Sequence, residues 1–86
     1  MERILAIVSG RVQGVGFRWA TLEKAENLGL SGSVRNEPDG TVRVEIEGER
    51  AEELLAWLHD GPRFASVSSV TVSRLPAVGQ DGFKVG

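Results

Sequence analysis

The stretch SGRVQGVGFR, residues 9 to 18, sets glycines at 10, 14 and 16 directly ahead of Phe17 and Arg18. Glycines clustered in an ordered loop cost conformational entropy, so they mark unusual backbone angles or a partner that comes close to the backbone. Ahead of a helix start, such a loop turns backbone N–H groups into one concavity, and the helix dipole adds positive charge there. This suits phosphate. Arg18 supplies a permanent cation whose planar fork can hold two phosphate oxygens together. The loop is not a P-loop, since GxxxxGK[ST] is absent, nor a dinucleotide fingerprint, which needs glycine where Trp19 stands. Read locally, the glycines equally fit an ordinary connection and Arg18 a solvated helix arginine.

Asn36, in SVRNEPDG, is the second candidate. Its amide could reach an anion held by the loop if both lay at one end of a sheet; read alone, it is a turn-initiating residue ahead of EPDG. His59 sits near the end of a helical stretch, where a cation suits the dipole, and is read as a surface residue. With no cysteine and a single histidine, neither a thiolate nucleophile, a catalytic triad nor a cysteine or histidine metal cluster can be assembled.

The elements that must position these residues follow from the hydrophobic pattern. RILAIVS, residues 3 to 9, reads as an interior strand ending at Gly10. From Phe17 the spacing becomes helical, with Phe17, Thr21, Ala25 and Leu28 on one stripe and Gly29 as the stop. LSGSVRN is a second strand, EPDG a tight turn, and TVRVEIEG a third strand with Val42, Val44 and Ile46 facing the core. ERAEELLAWLHDGP is an amphipathic helix burying Ala51, Leu54, Leu55 and Leu58, stopped by Gly61 and Pro62. ASVSSVTVSRL is a fourth strand whose Val67 is out of phase with Val70 and Val72, which predicts a bend or bulge. GFKV offers a short fifth strand. Trp57 and Trp19 are placed at the core edge.

The order β-α-β-β-α-β with right-handed crossovers predicts an α+β, ferredoxin-like split βαβ sandwich, an antiparallel sheet with two helices on one face. The first and second strands then run in the same direction, which puts the glycine loop and Asn36 at one sheet end. A chain of 86 residues fits one domain over 1–86, with core enough to need neither metal nor disulfide. Its formal net charge of -2 gives no general attraction for nucleic acid, and the strands RILAIVS and TVRVEIEG lack the stacking aromatics of an RNA-binding sheet. The opening MERILAIVSG is too short for a membrane span and lacks a secretion signal's pattern, so a cytoplasmic location is expected.

GRVQGVGFR, GSVRNEPDGTVRVEIEG and DGPRFASVSSV, taken in order, resemble the acylphosphatase family over nearly the whole chain. The second repeats the G-x-V-x-N-x-x-D-G pattern independently of the first. The resemblance implies a small cytoplasmic hydrolase of ferredoxin-like fold that splits acyl phosphates into a carboxylate and inorganic phosphate without metal or cofactor. By motif position it implies that Arg18 binds the phosphate, that Asn36 positions the attacking water, and that the backbone of Gln13, Gly14, Val15, Gly16 and Phe17 forms the phosphate cradle. A monomer acting on a small-molecule substrate, with no nucleic-acid or membrane partner, is the matching expectation; the alternative is a phosphate-sensing or regulatory module without turnover. Ser33 stands where the family commonly has an aromatic residue, Trp19 and Ala20 replace the usual aromatic pair, and the tail ends early at FKVG. These departures bear on the pocket rim, on packing and on the edge strand.

Overall fold

β1 (Glu2–Arg11) alternates cleanly: Ile4, Ala6 and Val8 are buried, while Leu5, Ile7 and Ser9 are half-buried. Period-two alternation sends these two sets to opposite sheet faces. The computed structural model describes residues 2–86. After β1 come α1 (Phe17–Asn27), β2 (Ser31–Asn36), β3 (Val42–Glu47), α2 (Ala51–Asp60), β4 (Ser66–Pro76) and β5 (Phe83–Val85), the order predicted from the sequence. The strands form one sheet in the order β4-β1-β3-β2-β5.

β1 pairs antiparallel with β3 and with β4, and β2 pairs antiparallel with β3. The sheet is not antiparallel throughout, as the sequence reading had it: β5 lies parallel to β2. The cause is the connection. β4 and β5 occupy opposite edges, so residues 77–82 must cross the sheet before β5 can pair. The predicted irregularity in β4 is present, since Ser9 pairs with Ser69 while Gly10 pairs with Val67, leaving Ser68 as the extra residue.

Phe17, Thr21 and Ala25 of α1 and Ala51, Leu54, Leu55 and Leu58 of α2 are buried against Ile4, Val8, Val34, Val42, Val44 and Ile46. α1 lies over β2 and β5, and α2 over β4 and β1. Each fully buried aliphatic side chain contributes roughly 1.5–3 kcal/mol. Both helices end where expected, Leu28 capping α1 ahead of Gly29, and Gly61, with φ 70°, capping α2.

The opposite face carries Leu5 and Ile7 beside an ionic cluster. Arg3 lies across it, its guanidinium donating to Glu45 at 2.8 Å, to Glu47, and to the Gln80 amide oxygen at 2.9 Å. Glu47 in turn accepts from the N–H groups of Val78 at 2.9 Å and Gly79 at 3.0 Å. The crossing segment is therefore tied to the open face by a largely buried ionic network.

Candidate active site

β1 leaves the sheet at Arg11, and residues 12–16 carry the chain to α1. Val12 and Phe17 are buried, and Val15 is packed against the core. Phe17 sits 6.1 Å from the ring of Trp57, which is half-buried at the core edge as expected. Those apolar side chains anchor the loop from below. Gly14 and Gly16 adopt φ values of 73° and 79°, the left-handed region that side chains avoid, and a Cβ on either would project into open space. The glycines thus turn the peptide units over between the apolar anchors and leave the outer side of the loop uncovered.

Among the described residues, no backbone carbonyl accepts from the N–H groups of Gln13, Gly14, Val15, Gly16 or Phe17. α1 begins on Gly16 with no side-chain cap and no acidic residue in its first turn. A helix N-terminus with free donors and no competing carboxylate favours an anion. Arg18, in that first turn, donates from Nη1 to the Gly86 carbonyl at 2.6 Å. The Gly86 N–H donates to the Val34 carbonyl at 2.9 Å, beyond the β2–β5 pairing.

Asn36 is the last residue of β2 and pairs with Val42, which also pairs with Val8 of β1. β1 and β2 both run antiparallel to β3, so their C-terminal ends coincide and bring Asn36 and the loop to one end of the sheet, as expected. Alternation places Asn36 on the same face as buried Val34, the face that carries the helices. Its Oδ1 is the one buried side-chain nitrogen or oxygen among the described residues without a hydrogen-bond partner. A buried amide oxygen left unpaired costs about 1–3 kcal/mol, which calls for a partner absent from the protein itself.

Gln13 was assigned through its backbone alone. Its side chain has a place too: Nε2 donates to the Glu37 carbonyl at 2.8 Å and to the Thr41 carbonyl at 2.9 Å, across the β2–β3 turn. The available signal was a lone amide between Val12 and Gly14 in an otherwise apolar and glycine loop. Nothing local announced the Arg18–Gly86 contact, which spans 68 residues of sequence.

Trp19 does not sit at the core edge; it is 65% exposed. Phe17 takes the inward position, and two residues at 100° each turn Trp19 to the far side of α1. Ala20, beside it, is half-buried. Ser33 alternates with buried Gly32 and Val34, so it lies on the open sheet face, paired with Glu45 and Lys84. His59 is exposed, its Nδ1 3.0 Å from the Leu55 carbonyl, the surface position predicted for it.

A split βαβ sandwich with an uncovered, N–H-lined loop, an arginine at its helix end and an unpaired amide on the neighbouring strand is an α+β domain of ferredoxin-like fold with the parts of an anion site at one sheet end. Residues 4–85 match the acylphosphatase family model. The acylphosphatase of Thermococcus kodakarensis is 52% identical over 89 aligned positions, covering 99% of this chain and 98% of that protein. That of Pseudomonas aeruginosa is 56% identical over 82, covering 93% and 90%. The crystal structure of the Bacillus subtilis acylphosphatase superposes with a TM-score of 0.94 at 34% identity, over 100% of this chain and 99% of that one. The chain belongs to the acylphosphatase family.

Proposed function

We propose that this enzyme hydrolyses the carboxyl–phosphate bond of small acyl phosphates with no metal and no covalent intermediate, using Arg18 and Asn36 as its catalytic side chains. The observation that carries the reading is the unpaired, buried Oδ1 of Asn36 at the same sheet end as the free N–H groups of Gln13, Gly14, Val15, Gly16 and Phe17.

The N–H groups and the Arg18 guanidinium hold the phosphoryl oxygens, over which charge spreads in the transition state. Oδ1 of Asn36 accepts a hydrogen bond from a water and turns its lone pair toward phosphorus, in line with the departing oxygen. The P–O bond to the acyl group breaks and a carboxylate leaves, with inorganic phosphate as the second product. A carboxylate is a good leaving group and needs no protonation, which suits a chain with no cysteine and a single histidine, His59, exposed and facing the Leu55 carbonyl. The water's proton passes to a phosphate oxygen of the substrate.

The same reading takes the chain as one domain acting as a monomer in the cytoplasm. The net charge of -2 and the absence of aromatic residues from β1 and β3 speak against a nucleic-acid partner, and no helix among the described residues is long and apolar enough to cross a membrane.

The test is release of phosphate from benzoyl phosphate and from an alkyl phosphate ester, each with and without EDTA. Benzoyl phosphate is turned over, the ester is not, and EDTA changes neither result. Asn36→Ala lowers kcat by about 10²–10³, the order seen on removing a positioned oxyanion donor, and leaves inhibition by phosphate nearly unchanged. Equal rates on both substrates, or a metal requirement, overturn the mechanism; phosphate binding with no turnover leaves a phosphate-sensing or regulatory module instead.

A further inference from the structure

We infer that Gln13 is a positioning residue for this reaction: its side-chain amide sets where Asn36 holds the attacking water relative to the bound phosphate. The inference rests on the acyl phosphate chemistry proposed above. Both hydrogens of Nε2 are committed, one to the Glu37 carbonyl at 2.8 Å and one to the Thr41 carbonyl at 2.9 Å. Those carbonyls close the neck of the β2–β3 turn, where Glu37 N–H donates to Thr41 and Gly40 N–H donates to Glu37. Asn36 immediately precedes Glu37, so the crossbar grips the hairpin next to the residue that carries the unpaired Oδ1.

At its other end Gln13 is held by the loop, whose neighbouring Val12 and Val15 are anchored in the core. One side chain therefore joins the element that binds phosphate to the element that orients water, where the β2–β3 ladder has reached its last pair, Asn36 with Val42. Among the described residues no group holds Asn36 Oδ1 directly, so its place depends on the backbone that Gln13 braces. Phosphate is gripped by the loop N–H groups and Arg18 and does not need the amide. In-line attack, by contrast, tolerates little displacement: an error of about 1 Å in a reacting group can cost about 10² in rate. Loss of the crossbar falls on the water and spares the anion.

Two variants of similar size isolate the amide. Gln13→Met fills the same volume without donors. Gln13→Leu also lacks donors, adds no charge beside the phosphate, and keeps the experiment decisive if the thioether unsettles the fold. Turnover of benzoyl phosphate and inhibition by inorganic phosphate are measured for each, alone and in an Asn36→Ala background, with folding followed by circular dichroism. The expected result is a kcat about 10- to 100-fold lower, a phosphate inhibition constant within about 3-fold of wild type, and a further loss in the Asn36→Ala background of less than about 3-fold, since the group it acts through is gone. Unchanged kcat, phosphate affinity falling in step with kcat, or the same fold loss with and without Asn36 overturns the inference. A wild-type enzyme with no turnover fails the functional reading itself; turnover by wild type with an unaffected Gln13 variant fails only the crossbar.

Discussion

Arg18 donates from Nη1 to the Gly86 carbonyl at 2.6 Å, and in the proposed reaction the rest of its rigid five-donor fork takes the phosphate. Holding the fork in place from a residue 68 positions away reduces the ordering that binding would otherwise demand. Lysine keeps the charge but cannot donate to Gly86 and clamp two phosphoryl oxygens in one plane. Arg18→Lys is therefore expected to lose most of both phosphate affinity and turnover, with Arg18→Ala only somewhat worse. Phosphate inhibition and kcat for the two variants beside wild type decide it, and a lysine enzyme that tracks wild type means that charge alone is enough.

At the scale of elements, the segment crossing from β4 to β5 depends on carboxylates. The Val78 N–H, Arg3 and the Gly79 N–H hold the Glu47 carboxyl below its ordinary value of 4.5, and Arg3 and Arg43 hold Glu45 below the same value. A carboxyl whose folded value is depressed stabilises the fold above its unfolded value, and that stabilisation is lost as pH falls through the folded one. The melting temperature should hold above about pH 4.5 and drop in more acid solution. Glu47→Gln, which removes the charge at every pH, should melt lower at pH 7 and show a shallower acid dependence. Parallel curves for the two proteins would mean that Glu47 does not anchor the crossing.

That network was not legible in the sequence, although its members were in view. Arg3, Glu47 and Gln80 are joined only by pairings across 44 and 77 positions, and no local period records which charges will meet. What a local period does record was readable: the buried stripes of α1 and α2, the alternation of β3, and the phase slip that becomes the bulge at Ser68. The candidate site divides the same way. The loop glycines, Arg18 and Asn36 stand out by residue type and spacing. The Gln13 crossbar and the Gly86 contact exist only after folding has brought distant carbonyls within reach.

Over the whole molecule, the first strand in the chain lies between β3 and β4, pairing Arg3 with Glu47 on one side and with Leu75 on the other. The consequence is one of time. Most of the sheet must wait for partners far along the chain, and topologies with such distant pairings fold more slowly than helical ones rich in local contacts, because the entropy of closing large loops is lost before any contact repays it. The proposed site inherits this delay: its loop, its hairpin and the Gly86 carbonyl that holds its arginine come from segments far apart in the chain. After dilution from urea, hydrolysis of benzoyl phosphate should return at the rate at which Trp57, packed on Phe17, recovers its native fluorescence. A fraction of activity appearing ahead of that signal would mean that part of the chain works alone. If the rates coincide, a partly built chain is a catalytically silent one, and the enzyme's activity is itself a clock for its own folding.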